Sequence, residues 1–170
     1  MAKKTLALAL FLLSACVLSA AKCVPGFRIV SGFSYCVIER VKSVSVESIS
    51  NANLQIERDG KLSVTFSLGM KSSHSLLNLS RFSSAGDYEG LFIKAGISGS
   101  LLSIDAGVML ITPQPYGGSV IPAFVSDLVL SRDAGLGENF VLRVEAGASV
   151  ALGRSFKSYS LIFGVVGLWR

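Results

Sequence analysis

The single histidine, His74, sits in "KSSHS" (71–75), the natural place to look for nucleophilic chemistry. A histidine base beside a serine, oriented by a carboxylate, would be the core of an acyl-transfer site. Position 76 is Leu rather than Ser, Ser72 shares a face with His74 only if the segment is extended, and no acid stands nearby in sequence. The segment reads as a turn carrying a solvated histidine, and no enzymatic activity is expected. Cys16, Cys23 and Cys36 form no CxxC pair or Cys/His cluster, so no metal site is expected. "GISGS" (96–100) and "DAGLGEN" (133–139) contain glycines but open no helix, so neither is a phosphate loop and no cofactor is implied.

What remains is isolated charge, and its meaning depends on the elements that carry it. In "NFVLRVEAGASVALGR" (139–154), Phe140, Leu142, Val144, Ala146, Ala148, Val150 and Leu152 alternate with a second set holding Arg143, Glu145, Gly147 and Ser149. Strict alternation specifies a strand whose two faces lie in different surroundings. "VKSVSVESISNANLQIER" (41–58) keeps one parity throughout, Asp59-Gly60 is a two-residue hairpin signal, and "KLSVTFSLGM" (61–70) answers it. Further strands are expected at 75–83, 90–98, 101–111, 118–131 and 157–169, which with those at 41–58, 61–70 and 139–152 makes about eight antiparallel strands counted from Val41. Residues 22–40 are left as a lead-in or an extra strand.

The polar faces decide which side is wet. A soluble sheet normally turns Lys, Glu, Asp and Thr to water. Here those faces are mostly Ser and Gly with single charges of both signs: Glu57, Lys94, Asp105, Asp127, Arg143 and Glu145. Small residues with sparse charges suit a narrow barrel lumen, where unpaired charge is costly. Arg143 and Glu145 are therefore expected to pair with Asp127, Asp105 or Lys94. On the last strand Tyr159 and Trp169 lie on one face, roughly 33 Å apart along a strand. At a tilt of about 40° that rises roughly 25 Å, the height of an apolar band between aromatic girdles.

The N-terminus adds an address. "MAKKTLALALFLLSACVLSAAKC" has a positive end, an apolar run and small residues before Lys22, the pattern of a signal peptide over 1–21. "LSAC" (13–16) resembles the bacterial lipobox, which gives the alternative of a 1–15 lipoprotein signal with a lipidated Cys16. In an oxidising compartment Cys23 and Cys36 either close a disulfide loop or stay as free thiols. Only 16% of the 170 residues are charged against 51% hydrophobic, and the net charge of +5 is scattered without a basic run. No nucleic-acid partner is expected.

Over residues 41–169 the pattern resembles the small bacterial outer-membrane barrels of the OmpA-transmembrane and OmpX type. That resemblance implies an all-β, up-and-down antiparallel barrel of about eight strands over 41–170, in contact with outer-membrane lipid. It also implies handling by the barrel-assembly machinery, which reads a C-terminal aromatic; here Trp169 is followed by Arg170. The implied role is structural or surface interaction through loops at 83–90, 112–118 and 153–157, with conduction secondary in so narrow a barrel. The competing reading is a lipid-anchored or secreted soluble β-sandwich or lipocalin-like binding module.

Overall fold

The computed structural model describes residues 22–58, 62–78, 87–114, 119–135, 137 and 139–169. The leader over 1–21 with Cys16, and the Asp59-Gly60 turn, lie outside the described residues. Eight strands follow in chain order: β1 (Lys22–Ile38), β2 (Val41–Arg58), β3 (Leu62–Asn78), β4 (Tyr88–Ser98), β5 (Leu102–Pro113), β6 (Ile121–Asp133), β7 (Phe140–Gly153) and β8 (Phe156–Trp169). Each pairs antiparallel with the next, and β8 closes on β1, so the sheet is a barrel without a free edge.

The number of strands is the eight expected, but not the eight counted from Val41. Seven begin at or beyond that residue, and the eighth is β1, outside the 41–170 barrel read from the sequence. Residues 22–38 form β1 and close the barrel. The separate strands expected at 61–70 and 75–83 are one continuous strand, β3, so His74 lies in a strand rather than a turn. Closure also excludes the sandwich form of the competing reading.

Register fixes the tilt. From Phe27 the Cα partners run through Ala52, Leu68, Ile93, Val108, Phe124, Leu152 and Lys157, returning to β1 at Val37, ten positions on. That stagger around eight strands corresponds to a tilt of roughly 40°, which leaves an interior just wide enough for side chains.

The start of β1 and the finish of β8 share one end of the barrel, called here the termini end. At the opposite, hairpin end lie the turns at 39–40 and 154–155, the end of β3 and start of β4, and the end of β5 and start of β6. Of the loops read from the sequence as interaction surface, 153–157 and the described ends of 83–90 and 112–118 fall at this hairpin end. Glu39 adopts φ 55° in the first tight turn, the left-handed geometry such a two-residue hairpin requires.

Alternation then builds two surfaces. Ile29, Phe33, Leu68, Ile93, Ile104, Leu128, Leu161 and Phe163 point outward and are exposed. Ser34, Ser45, Glu47, Lys71, Lys94, Asp127, Ser149 and Ser158 point inward and are buried. Val166 and Leu168 also face inward and pack with Val24 and Val141 near the termini end.

Candidate functional site: the charged barrel interior

The interior is an ionic layer crossing the barrel. From β1, Arg28 donates through Nε to Glu145 Oε2 on β7 at 2.7 Å and through Nη1 to Asp127 Oδ2 on β6 at 3.1 Å. From β4, Lys94 Nζ meets the same Asp127 oxygen at 2.5 Å. Four strands are tied by one chain of charge, Glu145–Arg28–Asp127–Lys94, with every member buried. Desolvating these ions is expensive, and mutual pairing with good geometry is what offsets it. Lys94 Nζ also stands 4.4 Å from the centre of the Phe92 ring, a cation–π contact.

Small residues make the layer fit. Lys94 is the cross-strand partner of Gly107, and Asp105 that of Gly96. A Cβ at position 107 would lie 2.0 Å from the Ile93 carbonyl oxygen and 2.7 Å from Lys94 Cα, so glycine lets the backbones approach beneath the long side chain. Asp105 is half-buried and accepts from Thr65 Oγ1 at 2.6 Å.

A second ion pair lies toward the hairpin end. Lys71 Nζ is 2.8 Å from Glu47 Oε2, while Glu47 Oε1 accepts from Tyr88 at 2.7 Å and Ser158 at 3.1 Å. Around and above it the interior turns apolar: Cys36, Ile38, Met109, Ile111, Ile121 and Phe156 pack together, with Tyr88 edge-on to Phe156 at 4.9 Å. Toward the termini end the interior carries polar groups beside the Val24–Val141–Val166–Leu168 cluster. Arg143 Nε donates to Asp133 Oδ1 at 2.7 Å, and Gln55, Ser63 and Ser98 form a hydrogen-bonded run. A mouth of about 360 Å³ opens there, between Lys22, Glu57, Asp133 and Arg143. Within the barrel, a cavity bounded by Arg28, Thr65, Asp105 and Glu145 measures about 30 Å³, room for a water or two.

Of the charges singled out from sequence, Lys94, Asp127, Arg143 and Glu145 are buried inside, Asp105 is half-buried inside, and Glu57 lines the mouth. Their pairing differs from expectation in two respects. Arg143 bonds Asp133, its direct cross-strand partner, rather than Asp127 or Asp105, and Glu145 bonds Arg28. Arg28, Glu47 and Lys71 were missed as interior charges. Arg28 and Lys71 fell in segments not read as strand, and their even and odd parity within β1 and β3 was the available signal.

The two described cysteines do not pair. Cys23 and Cys36 stand on the same strand thirteen positions apart, Cys23 exposed and Cys36 buried, both as free thiols. His74 faces outward near the hairpin end with 76% of its side chain exposed, and its Nδ1 is 3.5 Å from Asp87 Oδ2. An acid thus lies beside it, supplied by the far side of the 79–87 connection. Asp87 also accepts from the Ser75 amide at 2.7 Å, which gives it a structural task in holding that connection to β3.

Fold and interior together define a small up-and-down barrel built polar within and apolar without. No protein-family model matches the chain, and no curated protein matches its sequence. Among solved structures it is similar to Ail, the attachment invasion locus protein of Yersinia pestis, in complex with the heparin analogue sucrose octasulfate. Identity there is 14% and the TM-score 0.49, covering 87% of this chain and 99% of that one. A second crystal structure of Ail gives 14% identity and a TM-score of 0.45 over the same shares. A de novo designed transmembrane β-barrel is similar at 12% identity and a TM-score of 0.40, covering 84% of this chain and 94% of the design.

Proposed function

We propose that the chain is an integral β-barrel of a bacterial outer membrane, a side-chain-filled scaffold whose task is structural or surface interaction at its hairpin end. One observation carries this reading: the outward face is apolar between two aromatic levels. Tyr35 and Tyr159 are register partners toward the hairpin end. Trp169 stands against Phe27 and Phe140 at the other, with ring centres 5.4 and 5.5 Å away. Between these levels no charged side chain of the described residues points outward except Arg132, close to the lower one. Water would disfavour so large an exposed apolar surface, whereas hydrocarbon accommodates it. Conduction is a poor fit, because paired ions and the apolar packing above them fill the lumen.

A lipocalin-like soluble module would need the opposite arrangement, with a polar exterior and an apolar ligand cavity inside. The experiment is thiol labelling of reconstituted protein in a Cys23→Ser, Cys36→Ser background. Single cysteines at Ala146, Ala148 and Leu161 should react with a lipid-soluble reagent and resist a charged one. Equal labelling by the charged reagent, or solubility without detergent, would overturn the reading.

A further inference from the structure

The hairpin end is not evenly charged. Lys42 on β2 and Lys157 on β8 are both register partners of Val37 on β1, so the two ammonium groups flank one outward-facing residue. The adjoining turns carry Arg40 and Arg154. Those turns are tied together, since the Glu39 amide donates to the Ser155 carbonyl at 2.6 Å. Four exposed cations therefore gather over the β8–β1–β2 sector, and among the described residues of that sector Glu39 is the one acid. Directly beneath lie Tyr35 and Tyr159, two positions nearer the membrane middle. The β3–β4 sector of the same end is different, presenting Asp87, Glu89 and His74.

We infer that this cationic arc is a binding surface for the phosphate groups of a phosphorylated lipid in the leaflet at the hairpin end. The inference rests on the membrane-barrel reading and adds a partner to it. Tyrosines at this level mark the boundary between hydrocarbon and headgroups. Side chains one residue pair above them reach the phosphate layer, and their apolar stems lie along the wall below. The bonded pair of turns brings Arg40 and Arg154 together above Lys42 and Lys157 on the strand ends, a grouping that suits a polyvalent phosphate better than scattered monovalent charge would.

The test compares wild type with Lys42→Gln/Arg154→Gln/Lys157→Gln, and with Arg132→Gln as a control at the other end. Each is reconstituted in phosphatidylcholine nanodiscs containing either bisphosphorylated lipid A or its fully dephosphorylated form, and retained lipid is counted by native mass spectrometry after extraction. Wild type and Arg132→Gln should retain the phosphorylated lipid, the triple variant about ten-fold less or lower still, and none should retain the dephosphorylated form. Equal retention by the triple variant, an equal loss in Arg132→Gln, or indifference to phosphate overturns the proposal. Displacement of lipid A by an equal concentration of soluble inorganic pyrophosphate would overturn it as well, assigning the arc to free polyanions. A triple variant that no longer needs detergent would instead count against the membrane-barrel reading.

Discussion

Arg143 and Val144 are bonded to each other and occupy different solvents. The first is buried in the lumen on Asp133, the second lies exposed on the outer wall. The same contrast runs through the barrel: interior ions are sequestered and paired, whereas the outer wall presents Leu, Ile and Phe. In a soluble barrel the two sets would be exchanged. Alternation alone only separates the faces. What assigns them is the composition of the polar set, too poor in charge to be a wetted exterior and too well balanced in sign to be a binding cleft. Substitutions that move charge from one face to the other test that assignment directly.

The largest effect is expected inside. Arg28→Leu removes the cation touching both Glu145 and Asp127, leaving buried Glu145 without its cation and Asp127 with Lys94 alone. Refolding in detergent, followed by denaturant titration, should show a loss of about 3–5 kcal/mol. Arg28→Lys should recover little of it, because one ammonium group cannot replace donors Nε and Nη1 aimed at two acids. A cost under about 1 kcal/mol, typical of an exposed ion pair, would mean that the layer is wet.

Next comes the reverse exchange on the outer wall. Ala148, partnered by Leu128 and Leu161, lies between the two aromatic levels. Ala148→Arg should cost about 2–4 kcal/mol in a bilayer. Leu152, whose partner is Lys157, lies near the hairpin end, and Leu152→Arg should cost about 0–1 kcal/mol. Val144 should fall between them, since it lies nearer the lower aromatic level than Ala148 does, four residues on along β7 from Phe140. Equal costs at the three sites would remove the depth dependence and with it the lipid.

How far the barrel was legible in the sequence follows from the same contrast. β7 and β2 were readable because one face is apolar and the other small or polar. β1 was not, since its inward set runs Arg28, Val30, Gly32, Ser34, Cys36 and its outward set includes Ser31, which blurs the period. Arg28, at the centre of the ionic layer, was lost with it. β3 looked broken at "KSSHS" because Lys71, Ser72 and Ser73 resemble turn residues, although Lys71 points inward to Glu47. Pairing was the least legible feature. Which carboxylate meets Arg143 depends on register and on the ten-residue stagger around the barrel, and neither is written in a single strand.

The smallest effect sharpens the comparison within the lumen itself. Asp127 and Asp133 stand on the same strand, and each receives a cation. Asp127 has 1% of its side chain exposed and Asp133 has 42%. Asp127→Asn leaves Lys94 without its carboxylate and Arg28 on Glu145 alone. Both lie deep in a barrel with room for no more than a water or two, so a loss of a few kcal/mol is expected. Asp133→Asn leaves Arg143 at the wide mouth on the termini side, where water can replace the carboxylate and Ser98 remains within 3.5 Å. Its cost should stay below about 1 kcal/mol and shrink further as salt is added, while the Asp127 variant should be nearly indifferent to salt. Denaturant titrations of both variants at low and high ionic strength check this. If Asp133→Asn costs as much as Asp127→Asn and ignores salt, the mouth is as dry as the centre. The interior would then be a uniform plug rather than one graded from a wet mouth to a dry ionic layer.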